Sequence, residues 1–380
     1  MSAPLVGAPD RVAVPPPHPG AFTDGIHHPE LWLWDSWIAR EDGGEDGGKD
    51  GSEGGGERLH LYCLALARRT RGGTPTPPAD NARPFHYRHF TSDDDGASWR
   101  DRGAVLRPAN LADDGDSRNV WSGGVHNLGQ GEFLFGYTGI RSAGPGRDLV
   151  QSVVFATGPE SGPARFPDAT QSDSLRDRAS IVKLGYYLPE AHDIGANEGE
   201  GGGPILAWRD PCIVEGADGG ADSLHALWSA KVAPSVPAIA HARLHQVDGQ
   251  WQTELLPPIT LPDAQGTGGY TQAEVPKLCR DADTGGWLLL VSACDRLRES
   301  QPDSEVSKTL RLYRGAELRG PWYPAYGHRS VVPGTKTLFG ASFLDREARG
   351  NRVRLLSPRW ALAGPERAMT FAPALEVHTR

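Results

Sequence analysis

The stretch SDDDGASW, residues 92–99, is the most diagnostic turn in the chain. It matches the S-x-D-x-G-x-[ST]-W pattern of turns between propeller strands. In such turns the aspartate accepts backbone N–H bonds, the glycine adopts a positive φ and the tryptophan packs beneath the loop. The pattern therefore predicts a structural turn rather than a catalytic one.

The sequence around this turn repeats short alternating runs of apolar and polar residues. Residues 58–67 and 132–139 are such runs, and DADTG at 281–285 and LRGPW at 318–322 are turn signals beside further runs. Alternation with a period of two, with little helical periodicity, indicates strands joined as hairpins. The fold class is all-β, and a sandwich, a barrel or a propeller would each fit this pattern.

Composition narrows the class of partner. The 39 basic and 48 acidic side chains give a net charge of −9, which disfavours a nucleic acid or an anionic membrane as the partner. No run approaches 18 consecutive apolar residues, and the extended N-terminal segment, residues 1–20, lacks the basic start and apolar run of an export signal. The four cysteines show no metal-ligand spacing, so we expect reduced, mostly buried thiols and a cytoplasmic location.

The segment EDGGEDGGKDGSEGGGE, residues 41–57, is acidic and glycine-rich without an apolar anchor. Such a sequence cannot offset the entropy of ordering it, so we expect a flexible loop. No segment of this kind is long enough to divide the chain. The prediction is therefore a single domain over residues 1–380.

Three acidic residues stand out from the many in solvated turns. Asp35 lies in the apolar run LWLWDSWI, residues 31–38, where an unpaired charge would be costly. Strict alternation places Trp34 on the opposite face from Asp35 unless a bulge intervenes. Asp210 lies in W-R-D-P and could equally occupy a strand-entry turn, while Glu274 could be an exposed strand acid paired with Lys277.

Four motifs, in this order along the chain, resemble those of glycoside hydrolase family 68, the levansucrases, inulosucrases and β-fructofuranosidases. They are W-D-S-W at 34–37, W-S-G at 121–123, R-D-P at 209–211 and E-V-P at 274–276. Their separations of 86, 89 and 64 residues (35 to 121, 121 to 210, 210 to 274) suit one motif on the innermost strand of successive blades. The resemblance, from about residue 31 to residue 358, implies a five-bladed β-propeller related to families 32 and 43, with a central funnel-shaped active-site pocket.

The resemblance also implies three catalytic roles. Asp35 would be the nucleophile that forms a β-fructosyl ester, and Glu274 would be the acid that protonates the departing glycosyl oxygen. Asp210 would bind the fructosyl 3- and 4-hydroxyls and stabilise the oxocarbenium-like transition state. The reaction would then be a two-step displacement with retention, for which the two reacting carboxyl groups lie about 5 to 5.5 Å apart.

Substrate-binding residues follow from the same resemblance. Trp34, Trp121 and Ser122 would shape the fructosyl pocket, with the Ser122 hydroxyl holding the nucleophile by a hydrogen bond. Arg209 would contact substrate hydroxyls.

The chain departs from the family at two positions beside Glu274. Val275 stands where the family has an arginine, and Gln272 stands where it has an acid. The loss of a planar cation and of a charge leaves the identity of the donor sugar open. Gln272 is still expected among the substrate-binding residues. Arg296 is expected there too, as the best match, with Arg298 close behind, to a family arginine after the acid/base strand.

We therefore expect a fructosyl hydrolase or transferase that acts on sucrose or a similar small β-fructofuranoside, with no cofactor and no catalytic metal. An inverting enzyme of family 43 type, with carboxyl groups about 6.5 to 9.5 Å apart, is one alternative, and a non-catalytic sugar-binding propeller is another. Histidines such as His27, His28 and His126 show no ligand spacing, although a structural Ca²⁺ ion stays open. The sequence does not indicate the oligomeric state.

Overall fold

The computed structural model describes most of the chain. The described residues are 14–41, 57–78, 80–108, 115–162, 169–196, 198, 205–216, 224–264, 269–298, 301–360 and 369–380. Residues 1–13 of the predicted extended segment and residues 42–56 of the predicted flexible loop lie outside these ranges.

The alternating runs form strands that assemble into five blades. The first blade contains β1 (Ala21–Thr23), β2 (Leu31–Glu41), β3 (Arg58–Ala67), β4 (His86–Ser92) and β5 (Ser98–Leu106). The second contains β6 (Asn119–Gly129), β7 (Glu132–Arg141), β8 (Val150–Pro159) and β9 (Thr170–Asp173). The third contains β10 (Arg209–Glu215), β11 (Leu224–Ala233), β12 (Val236–Val247) and β13 (Gln250–Thr260).

The last two blades share a short strand at their boundary. The fourth contains β14 (Gln272–Asp281), β15 (Gly286–Cys294), β16 (Lys308–Gly315) and β17 (Trp322–Pro324). The fifth contains β18 (Ser342–Phe343), β20 (Arg352–Leu356) and β23 (Leu375–His378), with the small pair β21 (Pro358–Arg359) and β22 (Thr370–Phe371) beside them. Between them, β19 (Glu347–Ala348) pairs in parallel with β14. Helix α1 (Arg178–Lys183) and a 3₁₀ turn (Asp303–Glu305) are the helical elements of the described residues.

The innermost strands form a closed ring around the propeller axis. β2 contacts β6, β6 contacts β10, β10 contacts β14, and β18 contacts both β14 and β2. Backbone hydrogen bonds join the two ends of the ring, because the amides of Leu33 and Ser36 donate to the carbonyls of Met369 and Gly340. The chain is thus a five-bladed β-propeller, as the sequence predicts.

The hydrophobic core lies between the blades. Along β3, Tyr62 and Leu64 belong to a cluster shared with Phe135 and other residues of the second blade, whereas Leu61 and Cys63 belong to a cluster shared with the fifth blade. Successive side chains of a strand point to opposite faces, so one strand contributes to two such interfaces. Complete burial of one large apolar side chain stabilises the folded state by about 1.5–3 kcal/mol. The four cysteines are buried and form no disulfide, as predicted.

The turn over residues 92–99 has the predicted structure. Asp94 accepts a hydrogen bond from the Ser98 amide at 2.8 Å, and the Gly96 amide donates to the Ser92 hydroxyl at 2.9 Å. Gly96 has a φ of +83°, and Trp99 is buried beneath the loop. The turn joins β4 to β5 on the scaffold and takes no part in the cavity described below.

Candidate active site

A β-bulge interrupts each of the four innermost strands that carry the sequence motifs. The pairing register shifts between Trp34 and Ser36 and again between Trp121 and Gly123. It also shifts within residues 209–212 and 274–277. A bulge places an extra residue in one strand and turns its side chain out of the regular alternation.

Three of these bulges hold a non-glycine residue at positive φ. The values are 36° for Asp35, 65° for Asp210 and 48° for Val275. This region is unfavourable for residues that carry a Cβ, and it is especially unfavourable for a β-branched side chain. The bulge at Asp35 also explains why Trp34 and Asp35, adjacent in sequence, both line the same cavity.

The bulged residues surround a cavity of about 310 Å³ at the propeller axis. Its wall consists of Trp34, Asp35, Leu64, Pro78, Asn81, Phe85, Trp121, Ser122, Ile205, Arg209, Asp210, Glu274, Cys294, Arg296, Gln301, Lys308, Phe339 and Trp360. The three predicted catalytic residues and five of the six predicted substrate-binding residues are in this wall. The sixth, Gln272, is fully buried behind it and contacts Arg209.

Asp35 is held on one side of its carboxyl group only. Oδ2 accepts a hydrogen bond from the Ser122 hydroxyl at 2.6 Å, the contact that the resemblance implied. Oδ1 is inaccessible and accepts no hydrogen bond within the described part of the chain. Burial raises the pKa of Asp35 to about 6, although the Ser122 hydrogen bond opposes this shift.

Gly340, which no sequence motif marks, closes the wall next to Asp35. It has a φ of +70°, and a Cβ atom at this position would lie 2.1 Å from Asp35 Oδ1. Its amide donates to the Ser292 hydroxyl at 2.8 Å, and its carbonyl accepts from the Ser36 amide at 3.1 Å. The position therefore requires glycine for both its conformation and its close approach to the carboxylate.

Arg209 is hydrogen-bonded to two residues of β14. Its Nη2 donates to Glu274 Oε1 at 2.7 Å and to Gln272 Oε1 at 3.1 Å. Gln272 and Glu274 thus share a face of β14, as the alternation predicts. Glu274 pairs with Arg209 and not with Lys277, so the interpretation of Glu274 as an exposed acid paired with that lysine is wrong.

Asp210 is almost completely buried. Its amide donates to the Thr138 hydroxyl at 2.8 Å, and its Oδ2 accepts from the Val275 amide at 3.3 Å. Arg209 Nε lies 3.6 Å from the same Oδ2. Burial raises the pKa of Asp210 despite this cation, and the nearby carboxylates of Glu274 and Asp35 act in the same direction.

At position 275 an apolar side chain stands where the family has an arginine, so Val275 does not supply a polar group there. Its side chain is 1% exposed and is absent from the cavity wall, while its amide binds Asp210. The chain does carry a further cation close to the acids, Lys277, which is 6% exposed. Burial lowers the pKa of Lys277, whereas the charges of Asp210 and Asp35 favour its protonated form.

Sequence reasoning missed the part of the wall that comes from the start of β16, from the fifth blade and from loops. Lys308 Nζ lies 3.7 Å from the centroid of the Trp360 ring, and Phe339 packs edge-on against the same ring at 5.8 Å. Phe85 packs edge-on against Trp34 at 4.8 Å. Isolated aromatic residues and a lone lysine give no signal in a single sequence. Arg296, which was predicted, lines the wall and donates to the Gln301 carbonyl at 2.7 Å.

The fold of this chain is similar to the folds of several solved structures. No protein-family model matches the chain, and no curated protein matches it. A variant of Bacillus subtilis levansucrase solved with oligosaccharides has a TM-score of 0.61 and 14% identity, covering 97% of this chain and 89% of that chain. The Halalkalicoccus jeotgali inulosucrase bound to kestose has a TM-score of 0.58 and 17% identity, covering 98% and 90%. A levansucrase complexed with sucrose has a TM-score of 0.57 and 14% identity, covering 92% and 84%. The resemblance drawn from the motifs is therefore confirmed at the level of the fold.

Proposed function

We propose that this propeller is a retaining fructosyl hydrolase or transferase that cleaves sucrose or a similar small β-fructofuranoside. The observation that carries the proposal is the convergence of Asp35, Asp210 and Glu274 on one cavity, each beside a bulge of a different inner strand. The fold is one that levansucrases and an inulosucrase share, and some of those structures hold sucrose, kestose or oligosaccharides.

In the first step, the carboxylate of Asp35 attacks the anomeric carbon of the fructosyl unit. The bond from that carbon to the glycosidic oxygen breaks, and the oxygen takes the proton of the Glu274 carboxyl group. The products are a fructosyl ester on Asp35 and the released sugar, which keeps the glycosidic oxygen as a hydroxyl group. Ser122 fixes the orientation of the nucleophile through its 2.6 Å hydrogen bond.

In the second step, Glu274 acts as the base. It takes a proton from water or from a sugar hydroxyl, whose oxygen attacks the same anomeric carbon and displaces Asp35. Two displacements on opposite faces restore the original configuration. Arg209 keeps Glu274 in place throughout, because its Nη2 is hydrogen-bonded to that carboxyl group.

Asp210 would contribute through the sugar hydroxyls. In the structure its carboxyl group has one weak backbone donor and one arginine at 3.6 Å, and burial raises its pKa. Hydroxyl groups of a bound fructosyl unit would supply further hydrogen bonds to this carboxylate, which favours the charged form. That charge would stabilise the positive charge that develops in an oxocarbenium-like transition state.

The proposal is tested by incubating the purified full chain with sucrose, sucrose phosphate, raffinose and levan, and reading products by NMR. With methanol added as an acceptor, we expect methyl β-fructofuranoside as a stable product. Its configuration separates retention from the inversion of a family 43-type enzyme. The absence of fructose and of any fructosyl product from all four donors would overturn the proposal and leave a sugar-binding propeller or a family 43-type glycosidase with another donor.

A further inference from the structure

A second cluster of ligand-type side chains lies away from the cavity, where the first blade meets the second. His60 lies on β3, His89 lies on β4, and Glu160 directly follows β8 of the second blade. Both imidazoles are buried, with exposures of 0% and 1%, while the Glu160 side chain is about half exposed. His60 pairs across the sheet with Ala39, four residues beyond Asp35 on β2, or roughly 13 Å along the strand.

Three lone-pair atoms of this cluster converge on one point. His60 Nδ1 lies 3.1 Å from His89 Nε2 and 3.3 Å from Glu160 Oε2, and all three atoms lie within 4.8 Å of one another. Ligand atoms of a tetrahedral zinc ion, at about 2.0–2.2 Å from the metal, are roughly 3.3–3.6 Å apart. Two imidazoles and one carboxylate form a ligand set that zinc accepts.

A fourth residue fixes the tautomer of His60. Its Nε2 lies 3.3 Å from Glu41 Oε2, so the proton of the neutral ring belongs on Nε2 and is donated to that carboxylate. Nδ1 is then a lone pair that faces both His89 and Glu160. If His89 Nε2 carries a proton, that proton can bridge to His60 Nδ1 but not between His60 Nδ1 and Glu160 Oε2. A cation between the three atoms accounts for both contacts. A histidine whose other nitrogen donates to a carboxylate is also the common arrangement around bound metals.

The surrounding side chains hold the cluster in place. The Tyr62 ring stacks on His89 with centroids 4.5 Å apart and an interplanar angle of 8°. The Tyr62 hydroxyl donates to the backbone carbonyl of Glu160 at 3.0 Å, which ties the second-blade ligand to the first blade. The ligands thus come from a rigid part of both blades, a condition that metal sites require.

The third blade carries a histidine pair of the same geometry. His225 on β11 and His241 on β12 are offset diagonally by two residues, as His60 and His89 are, and their Nδ1 and Nε2 atoms are 2.9 Å apart. His241 is buried, so it offers a buried histidine outside the proposed site for a control substitution.

We propose that His60 Nδ1, His89 Nε2 and Glu160 Oε2 bind one divalent zinc ion that links the first and second blades, with Glu41 orienting His60. The site is structural and is independent of the proposed catalytic cavity. The sequence does not reveal it because its ligands come from two strands and a turn and have no characteristic spacing.

The test uses untagged full-length protein that has been stripped with a chelator and then titrated with ZnCl₂ by calorimetry. We expect saturable binding of one zinc ion per chain and a higher melting temperature with zinc. Co²⁺ in place of Zn²⁺ should give the visible absorption bands of a tetrahedral site. Glu160→Gln, whose side chain is half exposed, folds without a packing defect and should bind zinc at least about tenfold more weakly, and Glu41→Gln should weaken binding by about 10- to 100-fold.

His241→Gln is the matched control, because it removes a histidine from the third-blade pair. It should leave the zinc affinity unchanged, and the sucrose-cleaving activity should be the same with and without zinc. The proposal is overturned if the wild-type chain shows no saturable zinc binding, in which case the cluster is a hydrogen-bond relay from His89 through His60 to Glu41. It is also overturned if Glu160→Gln and His241→Gln bind zinc equally.

Discussion

Asp35 and Asp101 are two carboxylates of the first blade with opposite surroundings. Asp35, on β2, has one hydrogen bond from Ser122 and one oxygen with no partner in the described structure. Asp101, on β5, is bound by Arg88 Nε at 2.7 Å and Nη2 at 2.5 Å. It also accepts from the amides of His18 at 2.7 Å and Gly103 at 2.9 Å.

The pKa values of the two groups move in opposite directions for this reason. Burial raises the pKa of Asp35 to about 6. Burial acts in the same direction on Asp101, but hydrogen bonds from His28 and Arg88 and the charge of Arg88 outweigh it and hold the pKa of Asp101 well below its usual range. The complete pairing of Asp101 fits a structural role, and the incomplete pairing of Asp35 fits the proposed role as a nucleophile.

The substitution Asp35→Asn gives the largest expected effect. Removing the proposed nucleophile should reduce kcat/KM for sucrose by at least about 10³-fold. The melting temperature at pH 7 should not fall, because the raised pKa means that the charged form of Asp35 opposes folding. Steady-state kinetics and thermal unfolding measure the two effects, and an active variant, or an inactive one that is also strongly destabilised, would remove the contrast with Asp101.

Asp101→Asn should lower the stability of the protein and leave its activity unchanged. Asp101→Asn leaves the fully buried Arg88 guanidinium without its charged partner, so the free energy of unfolding should fall by about 3–5 kcal/mol. Kcat per folded molecule should be unchanged. Because the pKa of Asp101 is lowered by folding, this stabilisation is fully present above about pH 4 and is lost as the pH falls further. Urea unfolding at pH 7 and at pH 3 should show a difference between wild type and variant that shrinks in acid.

The pH dependence of activity follows from the pKa of Asp35. The nucleophile must be ionised, so kcat/KM should decrease by at least about tenfold for each pH unit below about 6, and ionisation of Asp210, whose pKa burial also raises, contributes to the same limb. A pH–rate profile for sucrose cleavage measures this limb, with circular dichroism at each pH as the control for folding. An acid limb near pH 4 would mean that the free enzyme does not hold Asp35 in the environment described here.

Ser122→Ala should have the smallest effect on kcat/KM. It should also act specifically on the pKa of Asp35. Kcat/KM should decrease by about tenfold, since the change removes one hydrogen bond to a charged group, worth about 1.5–3 kcal/mol. The acid limb of the profile should move to higher pH, because the Ser122 hydrogen bond lowers the pKa of Asp35. Ser152→Ala, which removes a serine hydroxyl that donates to Asp173 at 3.0 Å elsewhere in the second blade, is the matched control and should not move that limb.

The sequence predicted the wall of the candidate site better than it predicted the surroundings of that site. Four short motifs located Asp35, Ser122, Asp210 and Glu274, and the structure places all of them in one cavity wall. Alternation alone would have turned Asp35 away from Trp34, and only the bulge resolves this conflict. Gly340 could not have been predicted, because its importance lies in a contact with a residue about three hundred positions earlier.

The sequence and the structure both bear on membrane association. The sequence predicts no membrane partner. None of the helices in the described residues has the length and apolar character needed to cross a bilayer.

The sequence by itself determined the all-β class, the order of the blades and the identity of the acidic residues. These features depend on local periodicity, turn chemistry and short motifs, which a linear chain displays directly. The tertiary structure alone decided which oxygen atoms have partners, how Arg209 holds Glu274, and where the buried histidines of neighbouring strands meet Glu160. Those properties depend on distances between residues from different blades, and such distances exist only when the ring of inner strands is closed.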